Sequence, residues 1–185
     1  MDYAANAGTL IVETLIGLYL YVILLRFWMQ WVRADFRNPL GQFVIAVTNP
    51  IVLPLRTLLP AIGKIDTATV VFAFIVATIK VAAILWLSGY QPDWLTLLIF
   101  GAGETLRSSI HIFIAAIILH IVASWVASGM YNPIFAVAYQ IAEPLLAPAR
   151  RILPPIGGID ISPILVFLFL NLSLVLLVAP ISPFI

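Results

Sequence analysis

Residues 38–66 read NPLGQFVIAVTNPIVLPLRTLLPAIGKID, and residues 132–160 read NPIFAVAYQIAEPLLAPARRILPPIGGID. The two stretches align without insertion or deletion at a fixed offset of 94 residues. They share an opening Asn-Pro, three later prolines, an arginine and a closing Gly-x-Ile-Asp, and the same register extends back to Trp31 and Trp125. An offset that is kept over so many positions indicates an internal duplication.

Four long apolar segments flank the two stretches. They run from about Gly8 to Val32, Thr67 to Ser88, Leu106 to Ala127 and Ile161 to Ala179. A helix needs roughly 20 apolar residues to cross the hydrocarbon core of a bilayer. The whole chain is 63% hydrophobic and only 9% charged, which is far from the balance of a water-soluble domain. We therefore expect an all-α membrane protein with four transmembrane helices.

Each copy of the stretch lies within a helical hairpin. The expected repeats are residues 1–94 and residues 95–185, referred to below as the first half and the second half. Since each half holds two spanning helices, both halves enter from the same side, as in parallel repeats related by an axis along the membrane normal. The two stretches should therefore lie on one face of the predicted four-helix bundle.

The basic residues are concentrated in the two long connections. Six of the nine lysines and arginines lie there, namely Arg33, Arg37, Arg56, Lys64, Arg150 and Arg151. By the positive-inside rule these connections face the cytoplasm and both termini lie outside. The first apolar segment does not resemble a cleavable signal peptide, because no basic region precedes it and Glu13 interrupts it.

Each stretch opens with a helix-start signal. Asn38 and Asn132 are good N-caps, and Pro39 and Pro133 suit the first helical position. The residues that follow are mostly apolar. We expect one interfacial helix in each half, lying along the cytoplasmic headgroups.

Paired prolines follow within each stretch, Pro50 with Pro54 and Pro144 with Pro148. Proline has no backbone N–H, and its ring clashes with the carbonyl of the residue four positions earlier. We therefore expect each interfacial helix to end before its first proline, and the rest of the connection to be extended or broken into turns. Backbone of that kind must stay at the wet surface, because lipid cannot satisfy its polar groups.

Glycines and aspartates mark the return of the chain into the membrane. Gly63 and Gly157 tolerate the positive φ angles that such a turn requires. Asp66 and Asp160 then precede the returning helices, where a carboxylate can accept hydrogen bonds from free backbone amides. The simplest role for both aspartates is helix capping.

A second role for the aspartates is an ion pair with an arginine. Arg56 precedes Asp66 by ten residues, and Arg150 precedes Asp160 by the same interval. Such a pair would form a clip across each connection that a partner protein could open. Arg150 and Arg151 could also bind anionic lipid headgroups, since each basic residue near the surface contributes about 1 kcal/mol. The alternative is that these charges only determine the topology.

The doubled pattern of Trp, Asn-Pro, Pro-x-x-x-Pro-x-Arg and Leu-Pro-x-x-Gly-x-Ile-Asp resembles the YggT family of bacterial membrane proteins, to which YlmG is related. The resemblance implies a multi-pass protein of the bacterial cytoplasmic (inner) membrane. It also implies a link to osmotic-stress tolerance and ion homeostasis, or to cell division and cytochrome-complex assembly in relatives, without a common biochemical activity. The first stretch departs from the pattern at Thr57, where the second has Arg151, so the two copies need not be equivalent.

The chain has no recognised catalytic constellation. It lacks His-Glu-x-x-His, a phosphate loop and Gly-x-Ser-x-Gly, and it has no cysteine for disulfides or thiolate metal sites. Its two histidines, His111 and His120, are nine residues apart and point to opposite sides of a straight helix. With a net charge of +1 the chain also lacks a nucleic-acid footprint. We expect a protein that is not an enzyme, with no metal, no cofactor and no nucleic-acid partner.

Three ionisable residues fall within the apolar segments or near their outer ends, namely Glu13, Lys80 and Arg107. Isolated charges at such depths cost several kcal/mol, and pairing is the usual remedy. Glu13 and Lys80 lie at similar depths in one hairpin. We therefore expect a buried polar cluster of these residues in the outer half of the membrane.

Two functions remain open from the sequence. The first is a membrane scaffold or assembly factor that displays two proline-rich surfaces to an unidentified membrane protein or to lipid. The second is an ion transporter or channel involved in osmotic or potassium homeostasis. Four helices with so few polar positions make a poor pore unless several chains assemble, so transport would require a homo-oligomer. The sequence favours the scaffold.

Overall fold

A computed structural model of the chain describes residues 3–126, 132–153 and 160–182. Within these residues the structure is helical, with six α-helices and a short irregular helical end. The α-helices are α1 (Tyr3–Trp31), α2 (Pro39–Leu58), α3 (Thr67–Leu87), α4 (Trp94–Val126), α5 (Pro133–Ile152) and α6 (Ser162–Ser173).

Four helices are long and apolar enough to cross a membrane, as the sequence predicts. They are α1, α3, α4 and the last run, in which α6 continues through a π-helical segment, Leu174–Val178, and a 3₁₀ turn, Ala179–Ile181. Large apolar side chains are exposed along this last run, for example Phe167 and Phe169. Such a surface suits contact with lipid tails.

The predicted start of the third spanning helix near Leu106 is wrong. Helix α4 begins at Trp94, where the Asp93 carboxylate accepts hydrogen bonds from the backbone amide and the hydroxyl of Thr96. Glu104 therefore lies inside the helix, two residues before the point at which the sequence prediction begins the third span. The charges at Glu104 and Arg107 interrupt the apolar run, which is why hydropathy alone places the start too late.

Helix packing is antiparallel within each half. The beginning of α1 meets the end of α3, since a Cβ added to Gly8 would lie 3.3 Å from the Leu87 side chain. The same relation holds between the beginning of α4 and the end of the last run, where Gly103 approaches the backbone of Ile181. Helices α1 and α4 also pack against each other, and α2 contacts α5. The two connections therefore meet at one end of the bundle.

Helices α2 and α5 begin where the Asn-Pro signals predict. The Asn38 side chain accepts a hydrogen bond from the amide of Gly41 at 2.8 Å, and the Asn132 side chain accepts one from the amide of Ile134 at 2.9 Å. Pro39 is the first residue of α2. Both helices bury one apolar face against the bundle, as an amphipathic surface helix does.

The expectation that the prolines end these helices is wrong. Helix α2 continues through Pro50 and Pro54 to Leu58, and α5 continues through two prolines to Ile152. Prolines four residues apart share one helix face, and here that face is exposed. Pro50 and Pro54 remove the donors for the carbonyls of Ala46 and Pro50, and these residues are exposed as well. Water or headgroups can satisfy such carbonyls, so the helix continues.

In the second half the same geometry holds for Pro144 and Pro148. Both prolines are exposed. Gln140 is exposed as well, and its carbonyl has no helical hydrogen-bond donor because Pro144 lacks a backbone N–H. The buried face of α5 is formed instead by small and branched residues such as Val137, Ile141 and Leu146. Packing of this face outweighs the two missing backbone hydrogen bonds.

Tryptophans mark both ends of the bundle. Trp125 near the end of α4, and Trp86 and Trp94 at the opposite end, are each more than 70% exposed, as expected of aromatic belts. Trp28 is only partly exposed and has a different environment. Its ring packs against Phe113 of α4 with the ring centroids 4.5 Å apart, so it contributes to the contact between the two halves.

Candidate functional site

The first clip joins Arg56, near the end of α2, to Asp66, at the N-terminal boundary of α3. Arg56 donates to Asp66 at 2.6 Å from Nη2 and at 3.2 Å from Nε, so the contact is bidentate. Arg56 also donates to Gln30 of α1, and Asp66 accepts the hydroxyl hydrogen of Thr69. The Asp66 side chain is fully buried, whereas that of Arg56 is 36% exposed. This clip ties α1, α2 and α3 together.

The charge of Asp66 is stabilised by these contacts. Burial raises the pKa of the Asp66 carboxyl, but the hydrogen bonds from Arg56 and Thr69 outweigh burial and hold its pKa below the usual value. Asp66 is thus an ionised, buried partner of Arg56 at neutral pH. Removing one member of such an ion pair destabilises the fold, because the other member is left without its counter-charge.

The second clip consists of Arg150, Asp160 and Glu143. Arg150 donates to Asp160 at 2.9 Å and to both oxygens of Glu143 at 2.9 Å. Its three side chains are between 27% and 33% exposed. Asp160 also accepts a hydrogen bond from the amide of Ser162, so it contributes to the start of α6 as well. The second clip holds one more carboxylate than the first, and both of its carboxylates are more exposed than Asp66.

The second clip shifts the pKa of its own members. The hydrogen bond to Asp160 chiefly raises the pKa of Arg150, and Glu143 adds to the effect. Burial raises the pKa of Asp160, but the hydrogen bonds from Ser162 and Arg150 outweigh burial, so the pKa lies below its usual value. Arg150 and Asp160 are therefore both charged at neutral pH.

Both contacts that the ten-residue spacing predicts are present. The predicted capping role holds for Asp160, which accepts the amide of Ser162, but the Asp66 side chain forms no capping hydrogen bond at the start of α3. Gly63 adopts a positive φ of 62°, as expected for the turn into α3. Gly157 lies outside the described residues. Arg151 is exposed at the end of α5 and is available to solvent or headgroups. Arg150 is less available, because it is bound to two carboxylates.

Arg26 forms a third polar contact at this end of the bundle. Its Nη1 donates to the hydroxyl of Thr48 at 2.5 Å and to the side-chain oxygen of Asn49 at 2.8 Å, both on α2. The Arg26 residue is only 5% exposed. The Thr48 hydroxyl donates onward to the carbonyl of Val44. A long arginine side chain can extend its charged group to water, but here α2 covers the Arg26 guanidinium.

The buried charge cluster lies toward the other end of the bundle, between the last part of α3 and the first part of α4. Lys80 of α3 donates to Glu104 of α4 at 2.5 Å, and Arg107 reaches the other oxygen of Glu104 at 3.3 Å. Ser108 donates to Glu104 as well. Glu104 is 1% exposed and Lys80 7%. A single carboxylate thus joins the two basic residues.

The acid in this cluster differs from the one predicted. Glu13 is exposed on α1, and in the described part of the chain it makes no salt bridge. Lys80 instead packs beside Gly17 of α1, where an added Cβ would lie 3.6 Å from its Nζ. The sequence feature that could have identified Glu104 as the partner of Lys80 is Gly101-Ala102-Gly103, since small residues allow two helices to pack closely. A Cβ on Gly101 would lie 3.1 Å from the Cα of Thr78.

The two histidines occupy separate contacts. His111 Nδ1 lies 3.0 Å from the hydroxyl of Tyr21, which links α4 to α1. His120 stacks at a tilt against Tyr139 of α5, with centroids 5.3 Å apart. Across the described residues no three His, Asp or Glu side chains are grouped as metal ligands would be.

Two cavities lie beside these contacts. The larger, about 710 Å³, is an apolar groove between α1, α2, α4 and α5, with Tyr21 and His111 among its lining residues. The smaller, about 330 Å³, is lined by Arg26, Gln30, Phe36, Ile45 and Arg56. The groove could accept an apolar chain. The smaller cavity places two guanidinium groups around one space.

Comparison with known proteins gives one consistent result. The sequence profile of the CCB3/YggT family matches residues 5–87 and residues 100–181. An uncharacterized protein of Pseudomonas aeruginosa is 42% identical over 90% of this chain and 86% of its own length. The uncharacterized protein YggT of Escherichia coli is 42% identical over 89% and 86%, and an uncharacterized protein of Vibrio alginolyticus is 35% identical over 91% of both. No solved structure matches the chain.

Proposed function

The chain belongs to the CCB3/YggT family, and from that membership and the geometry of its clips we propose that it is a non-enzymatic membrane scaffold or assembly factor. In this proposal α2 and α5 form a surface that receives a membrane protein partner. A second copy of the chain is one such partner. The family-level link to osmotic stress and cell division would then reflect which complexes the scaffold helps to assemble.

The observation that carries the proposal is the pair of clips. Arg56 fixes the end of α2 to the start of α3, and Arg150 fixes the end of α5 next to the start of α6. The exposed proline faces of α2 and α5 are therefore held in fixed positions relative to the membrane-spanning helices. A binding surface that is ordered in advance loses less entropy when it binds a partner.

The buried charge cluster supports the scaffold over a transporter. A transport site must release its ion partners during each cycle, whereas Lys80 and Arg107 share Glu104 inside a closely packed contact of α3 and α4. Such an internal ion pair suits a structural role. The same cluster is also the feature that keeps oligomeric ion transport as the alternative, because ionisable groups inside a membrane often mark ion pathways.

The finer architecture belongs to the same proposal. We take residues 1–94 and 95–185 as tandem parallel repeats, with α2 and α5 as interfacial helices on the cytoplasmic face of the bacterial inner membrane and both termini outside. Equal lengths of 20 residues for α2 and α5 and the shared offset support the repeat. The basic residues of the connections support the orientation. Arg151 then faces the anionic headgroups.

Site-specific photo-cross-linking in native membranes tests the scaffold. Ala46 and Gln140 hold equivalent positions on the exposed faces of α2 and α5, and Trp94 is exposed at the opposite end of the bundle. A photo-reactive residue at Ala46 or Gln140 should capture the same discrete protein, and one at Trp94 should not. Equal capture from all three positions, or from Trp94 alone, contradicts the proposal.

Ion flux in proteoliposomes tests the alternative. The purified wild-type protein should pass neither potassium nor protons down an imposed gradient. A selective flux that is lost in Glu104→Gln but kept in Glu13→Gln would identify the buried cluster as a pathway and replace the scaffold by a transporter.

Thiol labelling tests the orientation, because the chain has no cysteine of its own. Single cysteines at Arg37 and Arg151, both exposed in the connections, should resist an impermeant reagent in intact cells and react after permeabilisation. Labelling of both in intact cells would reverse the topology.

A further inference from the structure

Arg26 is a buried cation without a bound carboxylate. It lies five residues before the end of α1 and is 5% exposed. The partners of its Nη1, Thr48 and Asn49, are neutral. Among the described residues no acid forms an ion pair with it. Burying an arginine without a counter-charge is costly, so the site favours an anion.

The 330 Å³ cavity brings this cation together with another. Arg26 and Arg56 line it, with Gln30 as a further polar group and Phe36 and Ile45 as apolar walls. Asp66 neutralises Arg56 through the first clip. The two guanidinium groups and one carboxylate therefore leave one net positive charge beside an open space.

We propose that this cavity binds the phosphate group of an anionic phospholipid. A guanidinium presents five N–H donors in a planar fork, which matches the oxygens of a phosphate. Arg26 donates only from Nη1 to its described partners, which leaves donors for a ligand. Its place within the apolar span of α1, near the exposed Trp31, puts the cavity at headgroup depth. The inference does not depend on the scaffold function.

The second half provides an internal contrast. The position equivalent to Arg26 is His120, and the position equivalent to Asn49 is Glu143. Glu143 binds Arg150, which also binds Asp160, so that the second clip carries one net negative charge. An anion is repelled there. The anion site is therefore specific to the first half.

The decisive variant installs the acid of the second half in the first. Asn49→Glu places a carboxylate beside Arg26, and Asn49→Gln is its neutral match in shape. Wild-type protein in detergent should retain phosphatidylglycerol in preference to phosphatidylcholine, read by native mass spectrometry. We expect Asn49→Glu to weaken that preference about tenfold or more, and Asn49→Gln to change it less than about twofold.

Two further arms identify the source of the phosphate and control for charge. Arg26→Gln should abolish the preference, whereas Arg37→Gln, at an exposed arginine of the same connection, should leave it intact. Inorganic phosphate at millimolar concentration should not displace the lipid. Displacement by inorganic phosphate would retain the site but assign it to a free anion, which overturns the lipid assignment.

A measurement on the wild-type chain keeps the test decisive if variants fail to fold. A photo-reactive phosphatidylglycerol should form its main adduct on peptides that contain Phe36 or Ile45. Adducts confined to the second half, no preference of the wild-type protein for anionic lipid, or equal preference in Asn49→Glu and wild type would each overturn the proposal.

Discussion

The two clips occupy equivalent sequence positions but differ in net charge. The first contains Arg56 and the buried Asp66 and lies beside an additional cation, Arg26. The second contains one arginine, Arg150, with two partly exposed carboxylates. The motif residues that the two halves share determine the geometry of each clip. Residues outside the motif determine the surrounding charge: Arg26 adds a positive charge beside the first clip, whereas Glu143 adds a negative charge to the second.

The same contrast extends to the buried charge cluster. Lys80, Glu104 and Arg107 correspond to Leu174, Leu10 and Glu13 in the other half. In the described part of the chain this cluster joins α3 to α4, and the equivalent positions of the other half, two leucines and Glu13, cannot form the same set of ion pairs.

The largest expected effect comes from breaking the cluster that has no counterpart. Glu104→Gln leaves Lys80 buried without its carboxylate and should lower the free energy of unfolding in detergent by about 3–5 kcal/mol. Glu13→Gln should change it by no more than about 0.5 kcal/mol, because Glu13 is exposed. Adding Lys80→Met to Glu104→Gln should recover part of the loss. Equal effects of Glu104→Gln and Glu13→Gln would show that Glu104 contributes no more to the free energy of unfolding than an exposed glutamate does.

How far the sequence predicts this structure differs between its levels. The four spans follow from hydropathy, and the starts of α2 and α5 follow from Asn-Pro, since both signals are local. The contacts of Arg56 with Asp66 and of Arg150 with Asp160 follow from a spacing that occurs twice. These features needed no knowledge of which helices pack together.

The remaining features depend on tertiary contacts. Whether Pro50 and Pro54 break a helix depends on which face is exposed, which hydropathy could not show. The partner of Lys80 depends on which helix approaches α3 most closely, and Gly101 settles that in favour of α4. The sequence prediction began the third span near Leu106 and so left Glu104 in a loop, where an acid is not expected to be buried.

The next effect concerns the close contact that buries the cluster. Gly101→Ala would place its Cβ 3.0 Å from the Cβ and 3.1 Å from the Cα of Thr78, so backbone must shift. We expect a loss of up to about 3 kcal/mol in unfolding free energy. Gly17→Ala, whose Cβ would meet only the end of Lys80 at 3.6 Å, is the matched control and should cost much less. A larger loss from Gly17→Ala would contradict the assigned packing.

A smaller effect compares the clips directly. Asp66→Asn removes the charged partner of Arg56 from a fully buried position and should cost roughly 1–3 kcal/mol in unfolding free energy. Asp160→Asn should cost less than about 1 kcal/mol, because the site is partly exposed and Arg150 keeps Glu143. Chemical unfolding of both variants in the same detergent measures the difference. A larger cost for Asp160→Asn would reverse the order of the clips.

The smallest effect is the loss of the clips in acid. Asp66 and Asp160 both have pKa values below the usual one, so each stabilises the folded chain above the unfolded pKa of about 3.9, and that contribution is lost as the pH falls through the folded pKa. The stability difference between wild type and Asp66→Asn should therefore be constant near neutral pH and shrink below about pH 4. The corresponding difference for Asp160→Asn should shrink in the same direction but by less, because it starts smaller. Unfolding midpoints measured from pH 7 to pH 3 give both curves. A difference for Asp66→Asn that does not change with pH would mean that the ionised carboxylate is not what holds the first clip.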